Sequence, residues 1–356
     1  MKLFIRAEGN PNIGLGHIMR CYALAEACQL LNIPVSFLCS QQTSDFLKSR
    51  KGFNSAIIRL ENTQQTDSNK TTSPDLDELT AALTRDAVLL LDGYQFDHIY
   101  QQAIKHAGIK FAYFDDTNSF YQSGLKHCAD IIINGADSAL SLKYELNATH
   151  SKLCLGSEYL LLRQEFHNLH PTAISERDSL LINFGGADIH NYSTQLLIEL
   201  EKQGFSAPVK VVTGAAFQHQ ETLNRCLQDD LSTSPMQIEH IHDAQQMAIL
   251  MQNARLAICA AGGTQFELLA CATPSILVVV ADNQLPASKH AAQQGWCDII
   301  EWQQQVDISA LASKIVADWQ NQPEIQCKFD KALQQHRKLT FNGGKNILNA
   351  LNELAQ

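Results

Sequence analysis

Short, uninterrupted apolar runs alternate along the whole chain with longer stretches whose apolar positions recur every three or four residues. In the first half the runs at residues 2–7, 34–39, 55–60, 87–91, 110–114, 130–134 and 152–155 predict strands. In the second half those at 180–184, 209–212, 237–241, 256–259, 275–280 and 298–300 do the same. Val, Ile and Leu follow one another in these runs without polar alternation. That is the pattern of parallel strands covered on both faces by helices. The helical stretches between them, residues 17–31 for example, complete a β-α-β-α order, and the pattern predicts two doubly wound α/β domains.

Polar punctuation sets the boundaries. Residues 167–178, a polar stretch containing Pro171, follow the 159–166 segment and predict the hinge. The first domain is therefore placed at 1–166 and the second at 167–340. Residues 61–77 are the most polar run in the chain and read as an exposed loop insertion. In residues 341–356, Ile347, Leu348, Leu351 and Leu354 recur at helical spacing, which predicts a helix packing back on the first domain.

Many of the strands run into small or polar residues, and open α/β sheets bind ligands at the carboxyl ends of their strands. Two such domains place the expected site in a cleft where the two sets of strand ends face each other. After the first strand comes Gly14-Leu15-Gly16-His17. Glycines let the backbone approach a ligand, helix-start N–H groups attract an anion, and His17 supplies a base that works near neutral pH. The bland alternative is a tight turn with a capping histidine. A dinucleotide fingerprint needs a third glycine where Met19 stands, and no acidic residue ends the second strand, so an NAD or FAD role is disfavoured. Gly262, Gly263 and Thr264 form a second glycine turn into a helix, suited to phosphate oxygens, with Glu267 placed for ribose hydroxyls. A Thr264–Glu267 capping box explains the same spacing equally well. Gly185 and Gly186 begin a third such turn, in which Asp188 has the spacing of a helix cap. Asn283 and Gln284 offer amides at a further strand end, or simply a turn.

Composition narrows the classes. Hydrophobic residues are 45% and charged residues 18% of 356, as in a globular protein, and the net charge of −10 argues against nucleic acid or an anionic membrane as partner. No apolar run approaches the length of a membrane span. Ten cysteines without regular spacing read as free thiols of a cytoplasmic protein. Metal-ligand spacing is absent; His240 and His242 are the one close histidine pair, and Asp115-Asp116 reads as a solvated strand end before a cation site. Neither a serine-hydrolase elbow nor a P-loop occurs.

Taken together and in order, the motifs resemble a known family. Arg6-Ala7-Glu8-Gly9-Asn10 and Ile13-Gly14-Leu15-Gly16-His17-Ile18-Met19-Arg20-Cys21 closely resemble the opening of the UDP-2,4-diacetamido-2,4,6-trideoxy-β-L-altropyranose hydrolases of pseudaminic acid biosynthesis (the PseG family), with Glu8 where that family usually has Asp. Asp92-Gly93-Tyr94, the Leu161-Leu162-Arg163 segment, Gly185-Gly186-Ala187-Asp188, the block from Met247 to Glu267 and Asp282-Asn283-Gln284 are similar to further family segments, so the resemblance runs to about residue 295. It implies the GT-B architecture and release of UDP by C1–O cleavage with inversion, without a metal or other cofactor. It also implies His17 as general base and Glu267 on the uridine ribose. The Gly262–Thr264 loop goes to the pyrophosphate, with Gly14, Gly16, Tyr94, Arg163, Gly185, Gly186, Asn283 and Gln284 as further substrate contacts. The implied partner is a small-molecule UDP-sugar and the implied state a monomer. One base and a set of anion-stabilising donors suffice for such a reaction, because UDP is already a good leaving group. The rival readings are a GT-B glycosyltransferase, a hydrolysing UDP-sugar 2-epimerase and, from another class, a catalytically silent sugar-nucleotide binding protein.

Overall fold

The computed structural model describes residues 1–61, 75–84, 86–301 and 306–356. The chain divides into two compact units, one of residues 1–9, 17–164 and 340–356, the other of 10–16 and 165–339. The sequence reading gives the whole glycine loop to the first domain; in the structure residues 10–16 group with the second unit. Asn10 and Gly14 exchange backbone hydrogen bonds of 3.2 and 2.8 Å, which closes this segment on itself.

In the first unit β1 (Lys2–Ala7), β2 (Val35–Cys39), β3 (Ala56–Arg59), β4 (Ala87–Asp92), β5 (Phe111–Phe114), β6 (Ile131–Asn134) and β7 (Lys152–Leu155) form a sheet in the order β3-β2-β1-β4-β5-β6-β7. Every pairing is parallel. The crossovers carry α1 (Gly16–Leu30), α2 (Gln41–Lys48), α3 (Leu76–Ala82), α4 (His98–His106) and α5 (Ser119–Gln122). Phe4, Leu89, Leu91, Phe111 and Ile132 are fully buried in its core, as the unbroken apolar runs require.

The second unit repeats the plan. Strands β8 (Ser179–Asn183), β9 (Val209–Thr213), β10 (Ile238–His242), β11 (Ala254–Ala260), β12 (Ser275–Val279) and β13 (Cys297–Glu301) lie parallel in the order β10-β9-β8-β11-β12-β13. Its helices are α6 (Tyr192–Lys202), α7 (Gln220–Arg225), α8 (Met247–Asn253), α9 (Thr264–Ala270), α10 (Leu285–Gln293), α11 (Ile308–Gln320) and α12 (Gln322–His336). The last helix, α13 (Gly343–Ala355), returns to the first unit. A Cβ on Gly343 would collide with the Leu160 carbonyl oxygen, and Asn346 Nδ2 donates to the Glu158 carbonyl at 2.8 Å.

Residues 62–74 of the polar run lie outside the described residues. Its end is not an exposed loop: Asp75 is buried just before α3 and accepts a 2.9 Å hydrogen bond from Arg6 Nε on β1. All ten cysteines are free thiols. Among the described residues no helix is long and apolar enough to cross a membrane.

Candidate functional site

Each sheet reverses its strand order once, between β1 and β4 in the first unit and between β8 and β11 in the second. The carboxyl ends of such neighbouring strands diverge into the crevice where doubly wound sheets bind ligands. In the first unit the segment after β1 is firmly held. Glu8, fixed by Arg6, accepts hydrogen bonds from Ser40 N at 2.9 Å and Ser40 Oγ at 2.7 Å, and Gly9 N donates to Thr43 Oγ1 at 3.1 Å. Gly14 has φ +78°, a left-handed conformation that disfavours any side chain there. The chain then enters α1, whose first turn carries His17.

Asp92, the last residue of β4, is fully buried and meets α1 from below. Its Oδ1 lies 2.7 Å from His17 Nδ1. One turn further, Arg20 donates to the same carboxylate twice, from Nε at 2.9 Å and Nη2 at 2.7 Å, and from Nη1 to Asp116 Oδ1 at 2.6 Å. The guanidinium rests 4.5 Å above the Phe114 ring, a favourable cation–π placement. Tyr94, half-exposed, donates its hydroxyl to Asp116 Oδ2 at 2.7 Å and presents its ring edge-on to His17 at 4.8 Å between centroids. Burial pushes the Asp92 carboxyl up, but Arg20 and then His17 pull it further the other way, to about 2. Asp116 is lowered in the same manner: burial opposes, and Arg20 prevails. The Tyr94 hydroxyl is pushed well above the usual phenol range by burial and by Asp116.

This arrangement sets the chemistry of His17. A carboxylate acceptor at Nδ1 places the proton of the neutral imidazole there and leaves Nε2 with its lone pair. Two carboxylates against one guanidinium leave a net negative charge around the ring.

Of the residues singled out from the sequence, the structure joins His17 and Tyr94 in one cluster. Arg163 is half-buried and acts electrostatically on Tyr22 of α1, beside Gln164, whose N–H donates to Glu26 at 2.8 Å. Asp115-Asp116 is not simply a solvated strand end: Asp115 is buried, and Asp116, partly exposed, is bound into the His17 cluster. Among the described residues no group of three or more His, Cys, Asp or Glu side chains is placed to hold a metal.

In the second unit the loops that open on Gly185 and Gly262 follow β8 and β11, the two strands at the reversal. A Cβ on Gly214, after β9, would lie 2.5 Å from Gly186 Cα, and Ala216 N donates to the Gly186 carbonyl at 3.1 Å, so these two loops pack backbone on backbone. The Asp188 carboxylate accepts from Tyr192 N at 2.8 Å and Ser193 N at 2.9 Å, the capping role that its spacing suggested. In the other turn the N-cap position of α9 is Gly263, so Thr264 is its first residue and makes no side-chain cap. Glu267 is half-buried and close enough to Cys259 on β11 to raise its thiol, after burial. Gln284 accepts from Val280 N at 2.9 Å through Oε1, and its Nε2 would stand 3.6 Å from a Cβ on Gly262. Gly185, Gly186, Gly262, Gly263, Asn283 and Gln284 thus lie in three turns at the carboxyl ends of β8, β11 and β12, with Thr264 and Glu267 in the first turn of α9 that follows the second of them.

Arg20, Asp92 and Asp116 are the site residues that reading along the sequence misses. Arg20 stands one helical turn after His17, and Asp92 and Asp116 each stand at a strand end. Those are the local signals; the pairing itself spans 72 to 96 residues of sequence.

Comparison with known proteins extends this picture. Residues 184–341, under half of the chain, match the glycosyltransferase family 28 C-terminal domain. An uncharacterised protein of Methanocaldococcus jannaschii is 26% identical over 293 residues, 80% of this chain; the chain spans only 56% of that relative's length. The UDP-2,4-diacetamido-2,4,6-trideoxy-beta-L-altropyranose hydrolase of Campylobacter jejuni is 24% identical over 300 residues, 83% of this chain and 98% of its own. Among solved structures, Acinetobacter baumannii MurG superposes with a TM-score of 0.66 over 99% of both chains at 16% identity. Two parallel-sheet units of this order, with such a structural neighbour, establish that the chain has the GT-B architecture.

Proposed function

We propose that the protein is a nucleotide-sugar hydrolase that releases UDP from UDP-2,4-diacetamido-2,4,6-trideoxy-β-L-altropyranose. The observation that carries the reading is the buried Asp92 carboxylate 2.7 Å from His17 Nδ1, which orients an imidazole base at the strand reversal of the first unit. In this reading His17 Nε2 takes a proton from water as the water oxygen bonds to the sugar C1. The C1–O bond to the β-phosphate breaks, and UDP leaves with the bonding electrons, inverting C1. The charge on the diphosphate is met by N–H donors of the Gly262–Thr264 turn, Glu267 holds the ribose, and no metal takes part. Likeness to the Campylobacter jejuni hydrolase over nearly its whole length supports this assignment.

A glycosyltransferase is the second reading, favoured by the family 28 match at residues 184–341. The same base would then deprotonate an acceptor hydroxyl in place of water. Incubation with UDP-sugars, with and without candidate acceptors, separates the two. UDP released in buffer alone, with a free inverted sugar seen by NMR, supports the hydrolase; UDP released only when an acceptor is added supports the transferase.

A further inference from the structure

Behind the His17 cluster lies a second group of polar side chains that the proposed chemistry does not use. Asp115 follows β5 directly and precedes Asp116. Its Oδ1 accepts hydrogen bonds from the N–H groups of Thr117 and Asn118, both at 3.1 Å, closing a tight turn in which Asn118 adopts φ +52°. The Tyr144 hydroxyl donates to the Asp115 carbonyl at 2.9 Å. Asn118 is tied down in turn: its Oδ1 lies 3.0 Å from His127 Nε2 and 2.9 Å from Asn147 Nδ2, and its Nδ2 donates to the Leu142 carbonyl at 2.6 Å. Asp115, Asn118, His127, Tyr144 and Asn147 are all buried. Asp115 Oδ2 has no hydrogen-bond partner among the described residues, and the nearest cation-forming group is His127, whose Nε2 is 3.4 Å away.

We propose that Asp115 is a positioning residue for the His17 centre: its ionised carboxylate holds the turn that presents Asp116 to Arg20 and Tyr94. Burial pushes the Asp115 carboxyl up to about 6, with Asp116 adding to the rise and the two turn N–H groups opposing it. Burial also lowers His127 to about 4, helped by His98, so His127 is neutral when Asp115 ionises. The other titratable groups around Asp115 include the phenols of Tyr113 and Tyr144 and the carboxylate of Asp116, whose positive partner is Arg20. A carboxylate whose folded value is raised loses stability as the pH rises from its ordinary value through the folded one, and above that the cost is complete. Its charge therefore works against the fold at neutral pH and for the turn, because N–H bonds to an ionised acceptor are roughly twice as strong as to a neutral one. Protonation near pH 6 weakens those bonds and frees Asp116 to move away from Arg20.

The effect on turnover rests on the hydrolase reading; the effect on Arg20 does not. Two measurements are made across pH 5 to 8 on wild type and Asp115→Asn: kcat for UDP release, and the Arg20 Nε–H resonance by NMR. Asn keeps an acceptor for the turn but never ionises. Wild type is expected to show an inflection near pH 6 in both measurements. Asp115→Asn is expected to lack it in both, with kcat at pH 7.5 lowered several-fold and the affinity for UDP unchanged. An Arg20 resonance that titrates identically in the two proteins overturns the proposal, whatever the activity. If wild type releases no UDP, the hydrolase reading fails and the Arg20 resonance alone decides the role of Asp115. Asp115→Ala removes the turn acceptor as well; should it not fold, the Asn variant still decides.

Discussion

Replacing Asp92 by Asn tests the base most sharply, because the change is nearly isosteric and entirely buried. The carboxylate sits at about 2 instead of 3.8, a depression of about two units, which corresponds to about 2–3 kcal/mol of stability. The sign follows from the depression: this contribution is full above pH 4 or so and is lost as the pH falls through about 2. Asn forfeits it and leaves Arg20 with Asp116 as its remaining carboxylate. Removing one member of a buried pair costs about 3–5 kcal/mol when the survivor is left unpaired. Asp116 keeps the loss toward the lower end of that range. The kinetic effect is separate. The Asn amide can donate to His17 Nδ1, which moves the ring proton to Nε2 and turns the base into a donor. The expected loss of kcat is about 10²–10⁴-fold, the usual worth of a general base. Urea unfolding at pH 7 and pH 3, together with initial rates of UDP release, measures both effects. The stability gap should shrink at the lower pH. A variant with kcat within about threefold of wild type, or with an unchanged urea midpoint at pH 7, refutes the role given to Asp92.

Glu267→Ala should weaken UDP binding in calorimetric titration while leaving the melting temperature nearly unchanged, since the N-cap of α9 is Gly263 and no capping box is lost. Gly214→Ala should destabilise the second unit by about 1–3 kcal/mol in urea, the usual range for overpacking, because the new methyl would meet the Gly186 backbone at 2.5 Å. His17→Asn should lose turnover while still binding UDP, which kinetics and titration on the same sample check.

The fold was legible because it is written locally. Thirteen apolar runs became thirteen strands, and the helical period placed α1 and α13 within a few residues of their observed ends. The glycine turns were legible for the same reason, since each sits at the end of its own strand. Asp75 was not: it lies at the end of the most polar stretch in the chain, and its burial rests on Arg6, 69 residues earlier, and Tyr100, 25 residues later. The His17 cluster divides along the same line. His17 stands in a recognisable loop, but Asp92 reaches it only because β1 and β4 are neighbours in the sheet, although two other strands lie between them in sequence. Apolar periodicity carries no information about strand order. The Thr264–Glu267 spacing shows the converse limit: it suits a capping box with Thr264 at the N-cap, yet the N-cap is Gly263 and Thr264 is already the first helical residue.

The central claim is that His17 directs water to the sugar C1. Reaction in ¹⁸O-labelled water with a UDP-sugar, followed by mass spectrometry of both products, tests it directly. The account predicts one labelled oxygen in the released sugar and none in UDP; label in UDP would mean attack at phosphorus and would contradict it.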